Sequence, residues 1–417
     1  MPRDAETCPY AAFGRAYDPF SHDGLHDLFR RARAEAPVFY SQDIGYWVLT
    51  RRDDAVIALR DAARFSADVT LAPLASYPPE MLAMLAEGGF TTEPTSSNCD
   101  RPAHTKFRAL AAQYLNMRRF NAEEPRIRAL ARDAIAAMPK TGRVDLVSSL
   151  TYELPARVLL EMMGMHDIDP ARIKRWGDNR LMMIFGRPDA EALRRGAEEL
   201  LDFFLYCRKV VEARIAAPGD DYPSALLAMR GGDDGVVTLN QIVSLVFGLL
   251  LAGHETTTNA LANLVLALMR DREQWEALKA DPSLVPNAVE EGLRHASSVI
   301  AWRRRALEDV EFQGVTIPAG DRILIALTSA NRDEAQFDDP ERFDVARPNA
   351  RDHIAFGNGL HFCIGAPLAR LEMRVVLEEL LAAYPDMALA EGQTFEYIRT
   401  IAFRGPERLE VELTGAA

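Results

Sequence analysis

Residues 356–365 read FGNGLHFCIG and set a single thiol, Cys363, among glycines. A thiolate is a nucleophile or a soft metal ligand, so its setting decides its use. The stretch that follows, GAPLARLEMRVVLEEL, has helical spacing and puts Cys363 where a glycine-rich loop meets a helix N-terminus. The N–H groups of Ile364, Gly365 and Ala366 there favour thiolate over thiol, and Pro367 fits a first turn that needs no amide donor. Gly357, Gly359 and Gly365 let the backbone turn tightly and approach a flat ligand. The plainer alternative is a buried structural cysteine at a helix start.

A second stretch, AGHETTT at 252–258, places an acid and an alcohol, Glu255 and Thr256, within an apolar helical run. Gly248, Ala252 and Thr256 recur at i, i+4 and i+8, a stripe of small bulk to which Thr256 brings a hydroxyl. An alcohol backed by a carboxylate can relay protons from water, with Glu255 on the source side. The competing reading is a helix whose Thr256 bonds back to its own i−4 carbonyl, which leaves a Glu inside the run unexplained.

These stretches need a scaffold, and the rest of the chain predicts one that is mainly α with small β-sheets. GLHDLFRRARAEA, EEPRIRALARDAIAAM and RLEMRVVLEELLAAY carry helical periodicity, whereas PVFYSQDIGYWVLT and VEFQGVTIPAGDRILIAL read as hairpins with Gly or Pro punctuation. The 417 residues are 48% hydrophobic and can bury a large core; no repeat, linker or composition shift marks a boundary, so one continuous domain over 1–417 is expected. The net charge of −13 disfavours nucleic acid and anionic membranes as partners. Four cysteines, Cys8, Cys99, Cys207 and Cys363, lie far apart without a Cys-x-x-Cys pair, which argues against zinc sites, iron–sulfur clusters and disulfides. The N-terminus MPRDAETCPY is no secretory signal, and the apolar run 242–253 is too short to span a bilayer, so a cytoplasmic location is expected.

Phe356, the pattern Gly-x-Gly-x-His-x-Cys-x-Gly and Ala369 one helical turn later together resemble the haem-ligand signature of the cytochrome P450 family. By that resemblance the fold is the cytochrome P450 fold, the cofactor is haem b (iron protoporphyrin IX), and Cys363 is its axial thiolate. AGHETTT is similar to the family's acid–alcohol pattern through Ala252, Gly253, Glu255 and Thr256, on the face opposite Cys363. The resemblance also implies that Glu291 and Arg294 of EEGLR couple to an arginine in a later loop, for which DPERF supplies Arg342, as a structural brace. For the haem propionates it implies His104 and Arg108 from HTKFR, Arg304 from WRRRA and His361; Phe356 and Gly365 complete the cofactor-binding set. Arg303 and Arg305 compete with Arg304 for that register, and as alternating strand residues they would face the other way.

GYWVLTRRDD, DPSLVPNAVEEGLRH, AWRR and SANRDE look similar to the haem domains of self-sufficient bacterial members fused to a flavin and iron–sulfur reductase. The chain stops without such a reductase. Electrons are therefore expected either from separate redox proteins, a ferredoxin and ferredoxin reductase or a flavin/iron–sulfur reductase, or from a missing fused reductase of which this would be the isolated haem domain. Arg370 and Arg374, with Lys106, Arg118 and Arg119, suggest a positive docking patch for an acidic partner. The expected activity is insertion of one oxygen atom of O2 into a small to medium hydrophobic or aromatic substrate, by hydroxylation or O-dealkylation. By analogy 69–90, 181–185, Leu245, Leu249, 299–302 and 401–403 line its pocket. The rival readings are a peroxide-driven peroxygenase and a thiolate-haem sensor or electron carrier. Glu255 and Thr256 argue against the sensor or carrier.

Overall fold

The computed structural model describes residues 8–232 and 234–414. Helices dominate and the strands are short, as the periodicity predicts. The contacts gather into two compact units, neither of which is a continuous segment: each is drawn from three stretches of chain.

One unit takes Met1–Ala72, Asn259–Cys363 and Ala388–Leu409. The first predicted hairpin pairs Val38–Ser41 with Tyr46–Leu49, in register from Val38↔Leu49 to Ser41↔Tyr46. All eight of these residues are buried, so a period of two gives way to a continuous apolar run. In the second, Val310–Phe312 pairs with Val315–Ile317 across Gln313 (φ 52°) and Gly314 (φ 75°), the two left-handed residues that a two-residue type I′ turn demands. The chain then enters the main sheet as Arg322–Ile325, parallel to Tyr46–Leu49 and antiparallel to Trp302–Ala306, with Phe65–Ser66 at the far edge. Trp47, Leu49, Phe65, Phe312, Ile323 and Ile325 form the core beneath it.

The same unit contains the Glu-x-x-Arg brace, with one correction. Glu291 and Arg294 are fully buried and paired through Arg294 Nε to Glu291 Oε2 at 2.6 Å. The later arginine whose side chain joins them is Arg347, whose Nε donates to Glu291 Oε1 at 3.2 Å, and not Arg342. The Arg342 guanidinium faces solvent, and it is its backbone carbonyl that accepts from Arg294 and Arg347 at 3.1 and 2.9 Å.

The second unit takes Pro73–Thr258, Ile364–Met387 and Glu410–Ala417. Met117–Ala137 starts at Asn116, whose side chain caps Arg119 N–H. It packs along Ala366–Ala383, and Arg128 bonds Glu378 and Glu379 across the pair. Leu239–Gly253 opens with a reciprocal capping box between Thr238 and Gln241. Its Phe247 meets Phe203 at 4.8 Å, and Phe203 stacks on Trp176 at 5.2 Å, so aromatic rings fill this core. The apolar run does not continue as one helix. It is interrupted at His254 (φ −107°, ψ −47°) and resumes as Glu255–Arg270.

Candidate active site

The cysteine loop is held by backbone geometry. Cys363 N–H donates to Phe356 O at 3.0 Å, Phe362 N–H to Gly359 O at 3.1 Å and Gly357 N–H to Ile354 O at 2.9 Å, which close the 356–363 segment on itself. Gly359 has φ +73°, and a Cβ there would stand 2.8 Å from Arg60 Cα and 2.9 Å from Leu59 O, so only glycine fits. Arg60 Nε donates to Asn358 Oδ1 at 2.8 Å and pins the same turn. Upstream, the buried His353 bridges Glu290 (3.1 Å) and Ala355 N–H (3.1 Å), a support that no spacing in the sequence announces.

Cys363 is the exposed thiol of the four; Cys8, Cys99 and Cys207 are buried. Burial pushes the Cys99 thiol up to about 11 and that of Cys207 higher still, which makes both inert as ligands. Gly365 is the N-cap of Ala366–Ala383, and Pro367 lies in its first turn. His361 sits in the single turn Gly359–His361.

Arg304 lies on Trp302–Ala306 and is buried, with Nη1 on the Arg303 carbonyl at 2.9 Å. Its register competitors are committed elsewhere: Arg303 donates to the carbonyls of Ala72 (2.7 Å) and Thr70, and Arg305 pairs with Asp68. In the same unit Val299 bridges to Phe403, and Trp302 meets the Phe403 ring edge-on at 6.5 Å.

In the second unit His104 and Arg108 share a face of Ala103–Tyr114. His104 is buried, and burial, with the nearby charges of Arg108 and Arg101, holds its pKa below the usual range, so it is a neutral donor. Ala252 is exposed while Leu250, Leu251 and His254 beside it are buried, and Gly248 and Thr256 are half-buried, so the small-residue stripe is the open side of the run. Thr256 Oγ1 donates to Ala252 O at 3.1 Å, the back-bond of the competing reading, and this bond spans the interruption at His254. Leu245 and 181–185 are largely buried, and Phe90 packs on Phe204 at 5.1 Å.

Glu255 is buried and paired with Lys174, whose side chain is wholly inaccessible. Lys174 Nζ also donates to Thr258 Oγ1 at 3.3 Å and lies 4.3 Å from the centre of the Tyr152 ring. Burial by itself would raise the Glu255 pKa, but the Lys174 charge and hydrogen bond prevail and hold it below the ordinary value. His254, wholly buried, is pushed down to about 3 by burial and then by Lys174, and is neutral. The sequence reading of Glu255 found neither Lys174 nor its neighbour Asp178.

Two of the five residues of the expected positive patch, Arg374 and Arg119, are ion-paired. Arg374 bonds Glu124 (2.7 Å) and Glu378 (3.0 Å), Arg119 bonds Glu123 (3.0 Å) and Asp220 (2.8 Å), and Lys106 donates to the Gln241 amide at 3.1 Å.

A cytochrome P450 family profile matches residues 188–393. The 6-deoxyerythronolide B hydroxylase of Saccharopolyspora erythraea is 34% identical over 94% of this chain and 97% of its own. The P450 CREJ, solved in complex with (4-ethylphenyl) dihydrogen phosphate, superposes with a TM-score of 0.90 at 35% identity over 96% of this chain and all of its own. Full-length CYP116B46 from Tepidiphilus thermophilus matches at TM-score 0.93 and 35% identity over 97% of this chain but only 54% of its own length.

The fold and sequence thus define a haem-thiolate oxidoreductase class. The chain belongs to the cytochrome P450 family, as a bacterial monooxygenase with haem b as cofactor, acting on O2 and a hydrophobic substrate with electrons from a redox partner. The residues present fit that cofactor: Cys363 is an accessible thiol on a loop whose turn only glycine can take, and Ala252 is exposed on the small-residue side of Leu239–Gly253. Among the described residues, no helix is long and apolar enough to cross a membrane.

Proposed function

We propose that residues 1–417 act as one cytoplasmic haem domain that hydroxylates or O-dealkylates small to medium hydrophobic or aromatic compounds. Cys363 would hold the haem iron through its thiolate, His104, Arg108, Arg304 and His361 would bind the propionates, and Phe356, Ala252 and Gly365 would lie against the cofactor. Haem b, when bound, supplies the iron at which dioxygen is reduced. Glu255, kept as a carboxylate by Lys174, stands on the source side of the relay and takes up a proton to hand on, Thr256 passes protons toward the oxygen side, and Ala252 keeps that side free of bulk. The aryl phosphate named with CREJ supports the aromatic substrate class. Electrons come from a ferredoxin and its reductase or from a flavin/iron–sulfur reductase.

The observation that carries this reading is the exposed Cys363 thiol on a loop whose turn at Gly359 excludes every side chain. Its oxygen-side half is tested by turnover with a reduced nicotinamide cofactor and redox proteins, comparing product formed with peroxide released. Thr256→Ala diverts reducing equivalents to peroxide while substrate binding is kept, and Glu255→Gln slows product formation by about 10²- to 10⁴-fold. Unchanged coupling in Thr256→Ala contradicts the relay, and turnover by peroxide alone at the full rate favours the peroxygenase.

A further inference from the structure

A cavity of about 450 Å³ opens in the unit that carries Cys363, lined by the turn from Asp18 to Asp23, by residues of 395–399 and by Glu407. That volume lies within the ~300–1,000 Å³ of small-molecule sites. None of its lining residues belongs to the set assigned to haem or oxygen. Local bonds fix both lining segments. Asp18 Oδ1 accepts from Phe20 N–H at 2.9 Å and Ser21 Oγ from Asp23 N–H at 3.4 Å, so these side chains shape their own turn. Glu407 N–H donates to Glu396 O at 2.9 Å, next to the bridge between Tyr397 and Pro406, and this pairing brings two acidic residues together.

The charges of the lining do not balance. Asp18, Asp23, Glu396 and Glu407 meet one lining cation, Arg399, and among the described residues no ion pair joins it to any of them. Arg270 and Arg404 stand over the Phe395 and Tyr397 rings at 4.8 and 3.9 Å and are not part of the lining, so those rings already hold cations and the acids supply the pull on a ligand. His22, only 7% exposed, gives an independent sign of a missing partner. Its Nε2 meets Thr400 O at 3.0 Å, and a carbonyl only accepts, so Nε2 carries the hydrogen. Burial pushes the His22 pKa down to about 4, so the ring is neutral and Nδ1 is an acceptor. Nδ1 is buried without a hydrogen-bond partner, although His22 lines a cavity edged with carboxylates. A donor is what such a buried acceptor lacks. A metal ion does not supply the answer, since among the described residues no three His, Cys, Asp or Glu converge closely enough to hold one.

We propose that this cavity is a binding site for a small organic cation with N–H donors, an alkyl guanidinium or primary ammonium, held by Asp18, Asp23, Glu396 and Glu407 with His22 Nδ1 accepting one of its hydrogens. The ligand's charge relieves the repulsion among the four acids, and its N–H groups give the site a preference that charge alone does not. A quaternary ammonium matches the charge and leaves Nδ1 unpaired. The inference is independent of the assignment of Glu255 and Thr256.

Isothermal titration of the haem-loaded protein with butylguanidinium tests this, because that cation stays charged and has no free lone pair to offer the iron. One equivalent is expected to bind, several-fold more weakly as salt rises from about 0.01 M to about 0.1 M and the Debye length shortens. Butyltrimethylammonium, with the same charge and no N–H, should bind about fivefold more weakly, the worth of one hydrogen bond. Glu396→Gln with Glu407→Gln, both at exposed positions, should weaken butylguanidinium by about five- to tenfold. His22→Phe keeps a ring and should erase the preference between the two cations; if its loss of the Thr400 bond unfolds the chain, the double variant at the exposed acids still decides. No saturable binding, equal affinity for the two cations, or undiminished binding in the double variant overturns the inference. So does binding that shifts the haem absorbance and survives the double variant, since it places the cation at the haem.

Discussion

The cysteine loop and the Glu255 cluster each present one reactive group, and they hold it by opposite means. Around Cys363 the constraint is steric: a left-handed Gly359 pressed against Arg60 and Leu59, with backbone hydrogen bonds closing the turn. Around Glu255, which resumes the helix after the interruption at His254, it is electrostatic: a buried ammonium, a second carboxyl and a phenol surround the acid. A steric cradle tolerates changes of charge but not one extra carbon, whereas an electrostatic one tolerates a change of shape but not the loss of a partner.

That contrast breaks most visibly at Lys174. Lys174→Met keeps the bulk and removes the cation, leaving the buried Glu255 and the half-buried Asp178 without a counter-charge. A loss of about 3–5 kcal/mol is expected at pH 8, as for one partner of a buried ion pair. The loss shrinks at pH 5, where both acids can be protonated. Thermal melts at the two pH values measure it; an equal loss at both would mean that Lys174 acts by packing alone. At the other site Gly359→Ala should cost about 1–3 kcal/mol for the left-handed backbone alone, more with the clash, and with no pH dependence. Chemical denaturation with haem absorbance as a second probe checks it, and a neutral substitution would sink the steric account.

A smaller effect sharpens the electrostatic side. Asp178 has a folded pKa of about 8 against an ordinary 3.8, so ionising it opposes folding. The sign follows from proton counts: between those values the folded state binds the extra proton, and stability falls as pH rises from about 4 to 8, by at most ~1.4 kcal/mol per pH unit. Asp178→Asn flattens this slope, and melting curves over that range show whether it does. The smallest effect is expected at Arg374. It is bound by Glu124 and Glu378, so Arg374→Glu changes reduction by an acidic partner through broken surface pairs worth about 0–1 kcal/mol, and the effect weakens with salt. Stopped-flow reduction under carbon monoxide measures it; a large, salt-sensitive slowing would restore the docking patch.

What could be read from the sequence divides along the same line. The cysteine loop, its following helix and both hairpins are local: glycine conformations, caps and periodicity act within about ten residues, and the sequence displays them. The Glu255 partner is not local. Lys174 stands 81 positions away, in a sequence where a quarter of residues are charged, and only folding selects it. The brace shows an intermediate case. Glu291 and Arg294 share a helix face by spacing, but whether Arg342 or Arg347 completes them depends on which side chain the loop turns inward. The interruption at His254 had the same character, since the apolar pattern runs on through it and the Thr256 back-bond appears only in three dimensions.

The central claim is that Cys363 is the thiolate on the haem iron, and the absorption spectrum of the reduced carbon monoxide complex tests it most directly. The parent protein should give the strongly red-shifted band of a thiolate-ligated haem, unchanged by replacing Cys8, Cys99 or Cys207. Cys363→His should keep a haem protein and lose that band, because a neutral imidazole does not donate charge as a thiolate does. Persistence of the band in Cys363→His, or its loss on replacing one of the three buried cysteines, would contradict the account.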